Sequence, residues 1–241
     1  WIWQDYDPSC TYLMSADVAR GDGKDYSTFH IINLVTMTVV AEYQGKMSPD
    51  HFAPFLVSNG KQYGECMMVV ENNNIGYTVL EKVKDLGYAN VYHSVKSTHE
   101  YVEQHLAENR TNCVPGFTTS GKTRPMILAK LEEFIRNDII KLHSSRLLNE
   151  LKTFVWNNNK PEAMRGYNDD LVMALAIACW VRDTALTVSK RDVELTKAFM
   201  NSFYKSGTTL NTTIPGMQGY KDIKKTNQVK KAQEYAWLYK G

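Results

Sequence analysis

Short apolar runs separated by tight polar turns fill the first part of the chain. The runs are Tyr12 to Ala19, Tyr26 to Thr36 and Thr38 to Gln44. Runs of this length, rich in β-branched and aromatic residues, predict three strands in an antiparallel meander. Pro49 and Asp50 follow them and predict the start of a helix that continues to about Tyr63.

The next segment alternates strands with helices. Cys66 to Val70 is continuously apolar, which indicates a strand covered on both faces. Ile75 to Leu86 has helical spacing and stops at Gly87, and Val91 to Val95 predicts another short strand. The order β-β-β-α-β-α-β predicts an α/β fold with a mixed sheet and helices on its faces.

The second half is more polar. Ser97 to Phe117 has no clear periodicity, and Pro125 predicts a helix that begins there. The remaining predicted elements are the end of that helix near Asn137, a short strand at Ile139 to Leu142, a helix at Ser144 to Lys152, a polar turn at Asn157 to Asn159, and a helix from Asp169 to about Thr184 with Asn168 as its N-cap. We expect one domain over residues 1–189, followed by a helical and lysine-rich extension over residues 190–241 that packs on the domain or depends on a partner.

Composition narrows the function classes only a little. Of the 241 residues, 43% are hydrophobic and 22% are charged, as in ordinary globular proteins. No apolar run approaches the roughly 20 residues of a membrane span, and four scattered cysteines argue against a zinc site and for a reducing compartment. The net charge of +2 comes from the lysine-rich end, since the rest is slightly acidic. A chain that begins at Trp1 indicates a piece of a longer protein, and its function has to be argued from sites.

Carboxylates lie at the ends of three apolar elements. Asp17 interrupts the first strand, on the same face as Leu13 and Ser15, and Glu71 directly follows the apolar run that ends at Val70. Asp169 and Asp170 begin an apolar helix, where the helix dipole favours negative charge. Taken singly, each acid is more often a turn, edge or cap residue than a ligand.

Together, these acids predict a metal site. A carboxylate beside a core is costly unless it is paired or bound to metal. Oxygen ligands without histidine or cysteine suit Mg²⁺ or Mn²⁺, and the six histidines show no ligand spacing. Two such ions about 4 Å apart would activate a water and neutralise the leaving oxygen in phosphodiester hydrolysis.

Three motifs in fixed order carry a resemblance to a known family. They are Ser15–Gly21 with Lys24–Ser27, Val69–Asn73, and Gly166–Ala174. In these motifs the chain resembles the C-terminal nuclease domain of the large terminase of tailed bacteriophages, and most of all the group with contractile tails. The resemblance covers about Tyr12 to Thr184. It implies an RNase H-like fold, with a mixed sheet and helices on both faces, and an enzyme that cuts concatemeric viral DNA before and after packaging.

The resemblance also assigns roles to residues. Asp17 and Glu71 match the first two metal ligands, and the third falls on the pair Asp169–Asp170. We favour Asp170, because an apolar stripe of Ala174, Ile177 and Val181 follows it at helical spacing and should face the sheet. Asp169 and Asp25 then have accessory roles.

Basic residues near the motifs are candidates for DNA contact. They are Lys24, Lys122, Arg124 and Arg165. Relatives carry an acid three residues after the first aspartate, where this chain has Arg20; any metal role at that position is therefore in doubt, and Arg20 can instead contact phosphate. The resemblance further implies an upstream ATPase domain, the small terminase subunit and the procapsid portal as partners, and the host cytoplasm as location.

One motif points to a different class of protein. Gly116 to Thr123 fits the phosphate-binding pattern G-x-x-x-x-G-K-[ST] of ATPases. A genuine P-loop follows a buried strand and opens directly into a helix. The residues before Gly116 are polar and end in Pro115, and the helix is predicted to begin only at Pro125. We therefore expect no ATP site here.

Two further functions are compatible with the sequence. A resolvase or transposase-like nuclease would share the fold and would prefer branched DNA. A non-catalytic module that binds DNA or docks a motor would use the acids only structurally. The number and placement of the acids favour the endonuclease.

Overall fold

The computed structural model describes residues 1–73, 75–95, 113–157, 160–183 and 186. The predicted domain boundary at residue 189, the predicted helix after Ser189 and most of the polar segment from Ser97 lie outside these residues. Those three expectations therefore stay predictions.

A four-stranded mixed sheet forms the centre of the fold. Its strands are β1 (Tyr12–Asp17), β2 (Ser27–Asn33), β3 (Thr38–Gly45) and β4 (Met67–Val70). The spatial order is β3-β2-β1-β4, with antiparallel pairing from β3 to β1 and parallel pairing between β1 and β4. The predicted meander and buried fourth strand are thus confirmed.

Helices cover both faces of this sheet, because strand side chains alternate between two apolar cores. Met14, Ala16, Met68 and Val70 belong to the core that also contains residues of α1 (Pro49–Gln62) and α2 (Ile75–Asp85). The opposite core holds Leu13, Met67 and Val69 with the helices α3 (Thr123–Arg136), α4 (Ser145–Thr153) and α5 (residues 170–183). By the same alternation, Asp17, the last residue of β1, and Glu71, which follows β4, lie on the face covered by α5.

The region beyond β4 differs from the prediction. β5 (His93–Val95) pairs with β6 (Cys113–Pro115) in a separate antiparallel ribbon, so part of the segment expected to be irregular is a strand. Just after β6, Phe117 contacts the main sheet through a parallel bridge to Glu71. Backbone bonds from a distant segment create this strand, and no local periodicity signals it.

The last described elements follow the prediction with small shifts. α3 begins at Thr123 rather than Pro125, because the Ser120 hydroxyl accepts hydrogen bonds from the amides of Lys122 and Thr123. β7 (Phe154–Asn157) and β8 (Lys160–Ala163) form a hairpin around the predicted polar turn. The strand expected at Ile139 to Leu142 is reduced to one bridge between Lys141 and Thr38.

The start of α5 is corrected by one residue. Asn168 does not cap the helix, since its side-chain amide donates to the Lys24 carbonyl and to Asp170 Oδ2. The carbonyl of Asp169 accepts the first intrahelical bond, from the amide of Met173 at 2.8 Å. Asp169 is therefore the N-cap residue and Asp170 the first residue of the helix.

The described residues contain no helix that is both long enough and apolar enough to span a bilayer. All four cysteines are free thiols, and Cys66 and Cys179 are buried.

Candidate active site

The parallel pairing of β1 and β4 brings Asp17 and Glu71 together. Ala16 lies opposite Val70 in the register, and the Glu71 amide donates to the Ala16 carbonyl at 2.9 Å. Each acid is the residue that comes next, so both carboxylates lie at the same edge of the sheet. Carboxyl ends of adjacent parallel strands are where open α/β sheets place ligands.

The environment of Asp17 disfavours its negative charge. Burial raises the pKa of Asp17 well above its ordinary value, and the charge of Glu71 and a hydrogen bond between the two carboxyl groups raise it further. The charges of Asp170 and Asp169 add to the effect, in that order. No ion pair joins Asp17, Glu71 or Asp170 to a basic side chain within the described ranges.

β2 holds the third acid beside this pair. Thr28, which lies opposite Asp17 in the β1–β2 register, donates its hydroxyl to the Asp170 carbonyl at 3.1 Å. The Tyr26 amide donates to Asp170 Oδ2 at 2.9 Å. Burial raises the pKa of Asp170 to about 6, and the charges of Asp25 and Asp169 act in the same direction against the bonds from Tyr26 and Asn168.

Asp169 differs from its neighbour because it has a cationic partner. Its Oδ2 forms an ion pair with Arg124, which also donates Nε to the Pro161 carbonyl at 3.1 Å. Arg124 thereby links α3, the β7–β8 hairpin and the start of α5. Asp25 is exposed in the loop before β2 and is close enough for its charge to raise the pKa of Asp170.

The acids come together without forming a closed metal cage. Within the described part of the chain, no three His, Cys, Asp or Glu side chains are arranged to hold an ion as they stand. The pair Asp17–Glu71 nevertheless has the chemistry of a cation site, since two carboxylates in contact repel one another when both are ionised. All the nearby acidic groups present oxygen, which suits hard divalent ions.

Three of the four candidate DNA-binding residues are exposed on separate segments, and the fourth, Arg124, lies within α3. Lys24 is exposed, and its carbonyl accepts from Asn168 two residues before Asp170. Arg165 is exposed in the turn that follows β8, and Lys122 is exposed at the start of α3. Arg124 is different because its guanidinium forms an ion pair with Asp169.

The loop from Gly116 to Thr123 differs from the prediction in its flanking elements, and it differs from a true P-loop in its hydrogen bonds. β6 does precede Gly116 and α3 does begin within the motif, so the context expected from the sequence was wrong on these points. The loop amides are nevertheless already bonded to the protein: Phe117 donates to Val70 and Ser120 donates to the Thr123 hydroxyl. A phosphate cradle needs those amides free to donate to the ligand.

Sequence reasoning missed two residues next to the acids. Asn73 donates its side-chain amide to Glu71 Oε1 at 3.0 Å and to the Thr119 carbonyl at 2.9 Å, which ties Glu71 to the loop. Glu150 of α4 is buried, and Glu150 Oε2 accepts from the amides of Leu171 and Val172. Burial raises the pKa of Glu150 to about 7, with a further contribution from the charges of Asp170 and Asp169.

A sequence signal existed for Glu150 but not for its role. It lies three residues after Leu147 on an amphipathic helix, so helical spacing puts a charged group on the buried face. A buried acid at such a position needs partners. Which groups supply them depends on a contact between α4 and α5 that no local pattern specifies.

Comparison with known proteins identifies the fold. No family model matches the chain. The nuclease of the large terminase from thermophilic phage G20c, in a crystal structure with bound magnesium, aligns over 74% of this chain and 85% of that chain, with a TM-score of 0.57 and 18% identity. The structure of the same nuclease with bound cobalt gives the same values.

A second phage protein agrees. The large terminase nuclease domain of Thermus phage P74-26 aligns over 73% of this chain and 82% of that chain, with a TM-score of 0.54 and 19% identity. The chain thus has the RNase H-like fold of large-terminase nuclease domains, which confirms the predicted fold class and, at the level of fold, the resemblance drawn from the three motifs.

Proposed function

We propose that this chain is a metal-dependent endonuclease that cuts concatemeric double-stranded viral DNA during genome packaging. The observation that carries the proposal is the contact between the Asp17 and Glu71 carboxyl groups at the ends of two parallel strands. Buried acids that serve only stability are normally paired with a cation. This pair has no basic partner among the described residues, and the charge of Asp170 further raises the pKa of Asp17.

The donor set fits divalent metal. Asp17, Glu71 and Asp170 would hold the ions, and the relatives from phage G20c were solved with magnesium and with cobalt. We infer Mg²⁺ or Mn²⁺, as two ions. When bound, such ions lower the pKa of a water and neutralise charge that develops on phosphate oxygens. They would also remove the repulsion that raises the pKa of Asp17.

The remaining residues would orient the acids and the DNA. Thr28 and Tyr26 fix the start of α5 and hence Asp170, and Asn73 fixes one oxygen of Glu71. Lys24, Lys122 and Arg165 would contact phosphates on both sides of the acids, which fixes DNA without reading its sequence. Arg124 would hold Asp169 in an accessory position rather than contact DNA with its full charge.

A packaging role implies partners, and these are inferred only from the resemblance to large terminases. We infer an ATPase domain in the same packaging machine, together with the small terminase subunit and the procapsid portal. The enzyme would act in the host cell, transiently at the portal. A nuclease at that place needs no sequence preference, in agreement with contacts made by loops to phosphates.

The test is cleavage of supercoiled plasmid in Mg²⁺ or Mn²⁺, with EDTA as control. Asp17→Asn and Glu71→Gln keep the shape of the site and remove its charge, so both should abolish cleavage while the fold persists. Asp50→Asn is the matched control, since that exposed acid pairs with Lys82 on α2, and it should cut like the wild type. Cleavage that persists in EDTA, or in either site variant, would refute the proposal.

A further inference from the structure

The first turn of α5 is held by a carboxylate from another helix. Glu150 Oε2 accepts from the Leu171 amide at 2.9 Å and from the Val172 amide at 3.3 Å, and Glu150 Oε1 accepts from Gln44 Nε2 at 2.8 Å. The residue is only 8% exposed. Amides in the first turn of a helix have no partner within the helix, so the Glu150 side chain satisfies two groups that would otherwise be buried and unbonded.

The ordinary solution to this problem is absent from α5. An aspartate at the N-cap usually accepts from the second or third amide of its own helix. Here the N-cap residue is Asp169, whose Oδ2 pairs with Arg124, and the Oδ2 of Asp170 accepts from the Tyr26 amide. Both local carboxylates thus point away from the helix, and Glu150 does from outside what a cap residue does from within.

We propose that Glu150 is a positioning residue: by capping α5 from α4, it fixes Asp170 relative to Asp17 and leaves Asp169 and Asp170 available to the site. The capping of α5 by Glu150 is argued from hydrogen bonds alone, whereas its effect on a metal site rests on the proposed function. The carbonyl side of the same turn is held by β2, through Thr28 and through a 3.0 Å contact between His30 Nε2 and the Leu171 carbonyl. Glu150 supplies the matching restraint on the amide side.

Two substitutions of Glu150 separate capping from charge. Glu150→Ala leaves the two amides without an acceptor. Glu150→Gln keeps one oxygen for them, and its new amide group can face the oxygen of Gln44 once that side chain turns over. Leu147→Ala is the control for general destabilisation, since Leu147 is fully buried on the same helix, one turn earlier, and packs in the apolar core.

The first measurement is amide hydrogen exchange without metal, read at Leu171 and Val172 relative to the later turns of α5. Glu150→Ala should speed exchange at these two amides selectively, and Glu150→Gln should largely restore protection. Leu147→Ala should change the whole helix evenly. Unchanged relative protection in Glu150→Ala would overturn the proposal, whatever the protein's activity.

The second measurement is calorimetric titration with Mn²⁺. Residues that orient metal ligands typically change affinity by about 10-fold or more, so Glu150→Ala should weaken Mn²⁺ binding by about 10-fold. Glu150→Gln and Leu147→Ala should stay close to the wild type. Equal weakening in Leu147→Ala, or wild-type affinity in Glu150→Ala, would overturn the positioning role. A wild type that binds no Mn²⁺ would instead refute the proposed function, and the exchange measurement would still decide whether Glu150 caps α5.

Discussion

Two groups of acids lie on the α5 face of the sheet and have opposite surroundings: Glu42 alone, which is buried, and the set of Asp17, Glu71 and Asp170, which are buried or half-buried. Glu42 of β3 is 1% exposed, and its Oε1 accepts hydrogen bonds from Arg146 Nε at 3.0 Å and from Arg146 Nη2 at 2.8 Å. Asp17, Glu71 and Asp170 have no such cation among the described residues. The first group has a cation beside it, and the second has none within the described residues, in keeping with the metal site proposed above.

His30 sharpens this contrast. It lies 3.7 Å from Glu42 Oε2, and burial lowers its pKa, so it stays neutral and adds no charge. Among the described side chains, Arg146 therefore supplies the positive charge that pairs with the Glu42 carboxylate. The contrast supports the proposal that Asp17, Glu71 and Asp170 form a site, because acids that converge without a cation lower stability and such clusters concentrate at functional sites.

The largest effect should separate two neighbours that differ in compensation. Asp170→Ala removes an uncompensated acid and should abolish cleavage, whereas Asp169→Ala frees Arg124 and should lower the rate only about 10-fold, the scale of residues that orient ligands. Plasmid cleavage in Mn²⁺ measures both. If Asp169→Ala is inactive and Asp170→Ala still cuts, the two residues exchange roles and the metal mechanism survives.

Stability without metal should move in opposite directions at the two groups. Glu42→Ala leaves the Arg146 guanidinium without its buried partner and should cost about 3 kcal/mol. Asp17→Asn relieves the repulsion from Glu71 and should stabilise the metal-free protein by about 1 kcal/mol. Urea unfolding in EDTA at pH 7 measures both. A loss in Asp17→Asn as large as that in Glu42→Ala would erase the distinction between the groups.

Two acids that have no cationic partner among the described residues, Asp170 and Glu150, should also make stability depend on pH. Asp170 and Glu150 have a pKa of about 6 and about 7 in the folded state, above their values of 3.8 and 4.5 in the unfolded chain. The folded protein therefore holds protons that the unfolded chain has released. The metal-free protein should be most stable near pH 4 in this respect and should lose stability as pH rises towards 7, by about 2 kcal/mol per group.

Thermal melts from pH 4.5 to 7.5 test this dependence. Asp170→Asn should flatten the fall, and Asp50→Asn should not, because Lys82 lowers the pKa of that exposed acid. Saturating Mn²⁺ should also reduce the loss of stability with rising pH in the wild type, since the ion takes the place of the protons held by the carboxylates. A stability that rises with pH over this window in the metal-free wild type would contradict the assignment of these acids as uncompensated.

The sequence predicts one group much better than the other. Asp17 and Glu71 stand out because each ends an apolar run, and the same runs predict the meander of β1 to β3, although not the pairing of β1 with β4. The compensation of Glu42 by Arg146 spans 104 residues, and the bonds from Glu150 to α5 join two helices. Hydrophobic periodicity shows which face of an element is buried, but not which element covers it, so ion pairs and caps between elements are invisible to it.

The same limit explains the errors in the second half. β6 exists because its backbone pairs with β5, and α3 begins early because the Ser120 side chain caps it. Both depend on single side chains or distant backbone in polar sequence, where periodicity carries no information. The start of the long apolar helix α5 is predicted to within one residue because its pattern is strong.

The smallest effects should appear in DNA binding, where cations can be compared in the same way as acids. Lys122 is exposed and has no ion pair among the described residues, whereas Arg124 is committed to Asp169. In an inactive Asp17→Asn background, Lys122→Ala should reduce the slope of log affinity against log salt by about one unit, the value for one phosphate contact. Arg124→Ala should reduce it less, because a cation that already neutralises an acid releases fewer counterions from DNA. Lys24→Ala and Arg165→Ala should match Lys122→Ala if all three segments reach the DNA backbone.

Fluorescence anisotropy with a short duplex between low and moderate salt gives the slopes of log affinity against log salt. A full unit lost in Arg124→Ala would mean that DNA displaces Asp169 from the arginine. The Arg124–Asp169 ion pair would then exist only in the DNA-free protein.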